Sequence, residues 1–116
     1  MDLVVEIYRL TEVFPQRERY GLISQLRSSS VSVPANIAEG RGRLTDGEWC
    51  QFLGHARGSL LELETEIFIA ERLRMLGSNE AEELLTATSK IGAGITHMID
   101  YVRRRKLRKL QMKSRS

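Results

Sequence analysis

Trp49, Phe52, Ala56, Leu60, Leu63, Ile67, Ala70 and Arg74 recur at intervals of three and four, and all but the last are apolar or small. That period belongs to one face of an α-helix; a strand would alternate every second residue. Leu53, Leu61, Phe68 and Ile69 widen the stripe, so the helix can serve an internal core and a subunit contact at once. Thr45 followed by Glu48 has the form of a capping box and sets the start. The spacing predicts a helix from Asp46 to about Leu76, roughly 45 Å long at 1.5 Å per residue. A monomer of 116 residues does not need one so long, which hints at assembly. Gly54, Gly58 and Ser59 make a thin region where a facing element can approach.

Three more helices frame it. Leu3, Val4, Ile7, Tyr8, Thr11 and Phe14 give a first helix one apolar face, with Asp2 as cap and Pro15 as stop. A second begins near Arg19 or Tyr20, with Leu22, Ile23, Leu26, Ser29, Ser30 and Val33 inward and Arg27 directed towards Tyr20 or Ser24. Gly77, Ser78 and Asn79 turn into a fourth helix capped by Ser78 or Asn79. Its inner stripe is Leu84, Ala87 or Thr88, Ile91, Ile95, Met98 and Val102, and it runs to about Leu110. Gly92 and Gly94 in its interior point to a close helix crossing. Short connections between four helices predict an all-α, antiparallel up-and-down four-helix bundle.

The stretch from Gln25 to Arg43, QLRSSSVSVPANIAEGRGR, is the densest in small and polar residues. Pro34 lies in its middle, and two local forms are compatible with it. The second helix ends near Ser32 and another starts at Pro34, or one helix passes through, kinked, with Ser30 and Ser32 serving freed backbone groups. Gly40 is expected to terminate this segment by accepting positive φ.

The chain's length fits one domain. Two prolines, one cysteine and no long apolar run exclude an internal disulfide, an all-cysteine metal site and a membrane helix. The start of the chain lacks signal-peptide character, so a cytoplasmic protein with no membrane role is expected. Residues 1–102 hold all fifteen acids against ten Lys and Arg, a balance of −5, whereas residues 103–116 hold eight Lys and Arg and no acid. The chain thus divides into a bundle domain, 1–102, and a basic C-terminal extension, 103–116. Such a tail suits a polyanion, or it is a solvated helix end favoured by the helix dipole.

Catalytic chemistry finds no support. His55 and His97 lack the Glu-x-x-His partners of a di-iron bundle. Cys50 lacks an activating motif, and the serines lack the strand–turn–helix context of a nucleophile elbow. Gly40-Arg41-Gly42-Arg43 lacks the lysine and strand of a phosphate loop. No catalytic residue, metal or cofactor is expected. Arg41, Arg43 and Arg57, with Arg103, Arg104, Arg105, Lys106, Arg108 and Lys109, are the candidate nucleic-acid contacts.

QLRSSSVSVPANIAEGRGR followed by EWCQFLGHARGSLLELETEIFIAERL closely resembles the four helix bundle proteins, also known as the 23S rRNA intervening-sequence protein family and sometimes labelled S23 ribosomal protein. The resemblance spans about Ile7 to Tyr101. Its pattern falls on Gln25, Arg27, Ser32, Pro34, Asn36, Glu39 and Gly40, then on Gly58, Ser59, Glu62 and Glu64. Ser28 stands where a second arginine usually follows Arg27, which weakens an inherited nucleic-acid contact there. The resemblance implies antiparallel four-helix bundles that assemble as homopentamers. It also implies, through a similar fold in retroelements, an accessory protein that binds nucleic acid and a reverse transcriptase. The expectation is a non-enzymatic homo-oligomer that binds RNA or DNA through basic surfaces, or a scaffold whose partner is a reverse transcriptase or other protein.

Overall fold

A computed structural model describes residues 2–18 and 21–115. The elements are α1 (Asp2–Thr11), a single 3₁₀ turn (Gln16–Glu18), α2 (Leu22–Arg41), α3 (Asp46–Arg72) and α4 (Ser78–Arg115). No strand occurs among the described residues, and the all-α four-helix bundle is the fold that forms. α3 packs on α2 and α4, while the short α1 closes against the outer ends of the same pair. α4, at 38 residues, is about 57 Å long by helical rise and sets the long axis of a 62 × 24 × 19 Å molecule.

The core follows the periodicity. Leu53, Ala56, Leu60, Leu63, Ile67 and Ala70 of α3 are buried against Leu26 and Val33 of α2 and against Leu84, Ile95, Ile99 and Val102 of α4. Leu3, Ile7 and Leu10 line the inner face of α1; Tyr8, expected there, is exposed. Leu61, Phe68 and Ile69, which widened the α3 stripe, are also exposed.

α2 passes unbroken through Pro34, so the two-helix alternative is not what forms. The start expected at Arg19 or Tyr20 lies outside the described residues. Ser30 Oγ donates to the Arg27 carbonyl at 2.8 Å, and the Ser32 hydroxyl bonds Ser59 at 2.8 Å. Neither serves the group freed by Pro34. No glycine among the described residues has positive φ, so Gly40 does not end the helix by backbone freedom. It is buried, and a Cβ there would lie 3.0 Å from both Phe52 Cβ and Trp49 Cδ1. Gly40 exists for close approach.

The helix ends depart from expectation in two places. Thr45 caps α3 as read, its hydroxyl accepting from the Glu48 amide at 3.1 Å. α3 nevertheless stops at Arg72, not near Leu76, and Arg74 takes the left-handed conformation at φ 61°. The Arg74 amide donates to Glu71 O and the Met75 amide to Ala70 O, both at 2.9 Å, the paired bonds of a Schellman motif. The Gly77 carbonyl accepts the first bond of α4, from Ala81. Glu80 Oε1 accepts from the Gly77 amide at 3.0 Å, so Gly77 takes the capping place expected for Ser78 or Asn79. α4 then runs past Leu110 to Arg115.

Candidate nucleic-acid interface

Two seams set where the charged side chains stand. On the α3–α4 seam, Thr88 Oγ1 donates to Glu64 Oε2 at 2.7 Å. A Cβ on Gly92 would lie 3.3 Å from Leu60 Cδ2, the close crossing expected there. Gly94 faces open space. The Trp49 and Tyr101 rings meet edge to face at 6.4 Å, and Lys109 Nζ reaches Asp46 Oδ2 at 3.0 Å. Residue numbers fall on α4 as they rise on α3, so the chain's basic end is folded back over the first turn of α3.

That register gathers one basic end. The end of α2 brings Arg41 and the α2–α3 connection Arg43; α4 brings Arg103, Arg104, Arg105, Lys106, Arg108 and Lys109. Arg43 is braced by Glu39 at 2.7 Å and Glu48 at 3.9 Å, with its guanidinium 4.5 Å from the Phe52 ring centroid. Arg105 and Lys109 share Asp46, at 3.5 and 3.0 Å. The Asp46 side chain is only 10% exposed, so it is a held counter-ion rather than a surface charge. Lys106 Nζ lies over the same turn, 3.6 Å from where a Cβ on Gly47 would sit. Arg41, Arg103, Arg104 and Arg108 have no carboxylate within ion-pair distance among the described residues and are exposed. Arg57 is not part of this end. It is exposed on α3, eleven residues beyond Asp46 and so roughly 16 Å further along the axis.

The residues carrying the family pattern sit mostly at helix seams. Arg27 reaches α1 rather than the Ser24 direction expected for it, Tyr20 lying outside the described residues: Nε donates to Thr11 Oγ1 at 2.9 Å, and the guanidinium stands 4.7 Å from the Tyr8 centroid and 3.6 Å from Glu12. Ser32 joins Ser59 across the α2–α3 seam, and Asn36 Nδ2 donates to the Ser32 carbonyl at 2.8 Å. Gln25, Gly58 and Glu62 are exposed. On the same seam lies Glu66, four residues beyond Glu62 on α3. It is 9% exposed, with Oε2 accepting from Ser29 Oγ at 3.2 Å and Oε1 without a hydrogen-bond partner among the described residues. Burial pushes its carboxyl above the ordinary value; the Ser29 bond lowers it and the Glu62 charge raises it further. Asp46 and Glu66 acquire their roles from helix register, which no local sequence signal records.

Among the described residues no group of His, Cys, Asp and Glu is arranged to hold a metal ion, and no helix is long and apolar enough to cross a membrane. Comparison with functionally curated proteins yields no match. A crystal structure of a protein of unknown function from the S23 ribosomal protein family of Bacteroides thetaiotaomicron superposes with a TM-score of 0.74 at 18% identity, covering 83% of this chain and 87% of that one. At that identity the likeness concerns the fold. The sequence model of the 23S rRNA-intervening sequence protein matches residues 1–97, the bundle without its basic extension, and the chain belongs to that family.

Proposed function

We propose that this protein is a non-enzymatic, self-assembling bundle of the cytoplasm that binds the backbone of RNA or DNA through its basic end. The observation that carries the reading is the convergence of Arg41 with Arg103, Arg104 and Arg108, all exposed and without carboxylate partners, on one end of an otherwise acidic molecule. About four such phosphate contacts give a salt slope near −3.6, sequence-independent in character. Titration of labelled 23S rRNA fragments and duplex DNA at two salt concentrations tests it. Binding should weaken about 100-fold between about 50 and 200 mM salt and collapse on truncation after Val102. Absence of binding to either at the lower salt refutes the proposal.

Assembly has its own support. Leu61, Phe68 and Ile69 on α3 leave apolar surface exposed in the single chain. Gly54 and Gly58 each face open space where a Cβ would stand, although glycine in a helix interior costs about 1 kcal/mol relative to alanine. The homopentamer implied by family resemblance would cover such a surface and present several basic tails together, which multiplies weak contacts. A solution mass equal to one chain refutes this part. A second reading, an accessory role beside a basic protein such as a reverse transcriptase, draws on the acidic opposite end. There Asp2, Glu6, Glu80 and Glu83 surround Arg9 in a groove of about 230 Å³. Co-purification with such a partner, lost on reversing Glu80 and Glu83 to lysine, is its test.

A further inference from the structure

The basic tail is one continuous helix, so its cations are sorted by angle rather than spread over a flexible chain. At about 100° per residue, Arg104, Arg108, Gln111 and Arg115 fall within one narrow arc on the side of α4 away from the core. Val102, Lys106, Lys109 and Lys113 fall on the opposite arc, continuing the buried stripe beyond the last apolar layer. The two arcs have different surroundings. Arg105 and Lys109 converge on Asp46, and Lys106 lies over Gly47. The amino end of α3 is itself electropositive, so these cations stay there because nearly buried Asp46 offsets them. Arg104 and Arg108 have no acidic partner among the described residues, and every residue from 103 to 115 is exposed.

We propose that the outward row Arg104, Arg108 and Arg115 lies along the sugar–phosphate backbone of a double helix, while Arg105, Lys106 and Lys109 clamp the tail to the bundle and contribute little to binding. This rests on the nucleic-acid reading above and assigns its contact face and substrate class. The row spans eleven residues, roughly 16 Å of straight rod. Single-strand binders follow a basic groove with successive stacking aromatics; here the face is convex. Tyr101 is the one exposed aromatic near its start, and its ring is already set edge to face against Trp49. A convex charged helix fits between the backbones that border a duplex groove, not around splayed bases.

The test uses the full chain and labelled duplexes of DNA and RNA, with single strands of the same length, at about 50 and 200 mM salt. Arg104→Gln/Arg108→Gln and Arg105→Gln/Lys109→Gln remove the same charge. The outer pair should lower duplex affinity about a hundredfold at the lower salt and flatten the salt slope by about 1.8. The inner pair should change affinity less than about threefold, with circular dichroism confirming that the tail stays helical. Asp46→Asn keeps every cation and should leave affinity within about the same limit. Equal losses from the two pairs, a large gain from Asp46→Asn, or single strands bound as tightly as duplexes overturn the assignment. Failure of the unaltered chain to bind any nucleic acid overturns instead the function on which it rests.

Discussion

Glu66 should contribute to folding stability with an inverted pH dependence that one substitution erases. Its carboxyl is buried on the α2–α3 seam, with one oxygen bonded to Ser29 and the other without a partner among the described residues. Desolvation is the leading cause of its raised pKa, and the neighbouring Glu62 charge adds to it. A raised acid holds its proton in the folded state at pH values where the unfolded chain has already released it. Folding stability from this group is therefore full below the ordinary value of 4.5 and is lost as pH rises through the folded-state value. Paired carboxylates behave the opposite way.

Glu66→Gln keeps the shape and the acceptor for Ser29 while removing the charge. An unsatisfied buried polar group costs about 1–3 kcal/mol, more when charged. Glutamine leaves a neutral unpaired group, so the variant should recover about 1 kcal/mol at pH 8. In a chain of this size that is about 4–6 °C in Tm. The gain should shrink towards zero as pH falls to 4.5. Urea unfolding at fixed protein concentration across that range measures it, the concentration being held because assembly adds its own stability. Ser29→Ala should cost about 1–3 kcal/mol in the parent chain and far less beside Glu66→Met, where no carboxylate remains to satisfy. A glutamine variant less stable at pH 8, or a gain independent of pH, would refute the reasoning: the charged form would then be held by a partner outside the chain.

Three further substitutions test local features by thermal unfolding. Arg74→Gly should stabilise the chain by about 1 kcal/mol, because a non-glycine residue pays about 1–2 kcal/mol in the left-handed region; no gain would mean that the arginine side chain has a compensating contact. Gly40→Ala should destabilise by about 1–3 kcal/mol, since a methyl group must displace Phe52 and Trp49, and a neutral result would show that the seam can open. Thr45→Ala removes the cap of α3 and should cost about 1 kcal/mol; an unchanged Tm would mean that another group takes over the Glu48 amide.

The sequence is most legible where chemistry is local. The 3.6-residue period of α3 follows from side chains on one helix, and Thr45 with Glu48 caps it because both groups lie within one turn. Most of what was misread depended on another element. Gly40 looked like a terminator, since glycine after a helical run commonly accepts positive φ; its actual constraint comes from two aromatic residues of α3. Arg27 looked towards its own helix, but α1 offers a hydroxyl, a ring and a carboxylate together. The end of α3 was set too late because Gly77 is the obvious left-handed residue, while Arg74 accepts that conformation to complete two backbone bonds. Only the register of α3 on α4 brings Asp46 against the tail.

The small residues of this chain fall into two sets with different causes. Ser29, Ser32, Gly40, Ser59 and Gly92 are small because another helix of the same chain lies against them, through a hydrogen bond or a van der Waals contact. Gly54, Gly58 and Gly94 meet nothing within 4 Å at the Cβ position. Alanine at these three positions would favour each helix by about 1 kcal/mol, so their reason is not the stability of the single bundle. Gly54 and Gly58 border a groove with Ser32, Asn36, His55, Ser59 and Glu62, among residues that carry the family pattern. One side of that pattern therefore holds α2 to α3, while the other keeps a shallow, side-chain-poor surface open. The fold of the monomer accounts for the first set. The self-assembly proposed above would account for the second with the same physics, close backbone approach, applied between chains.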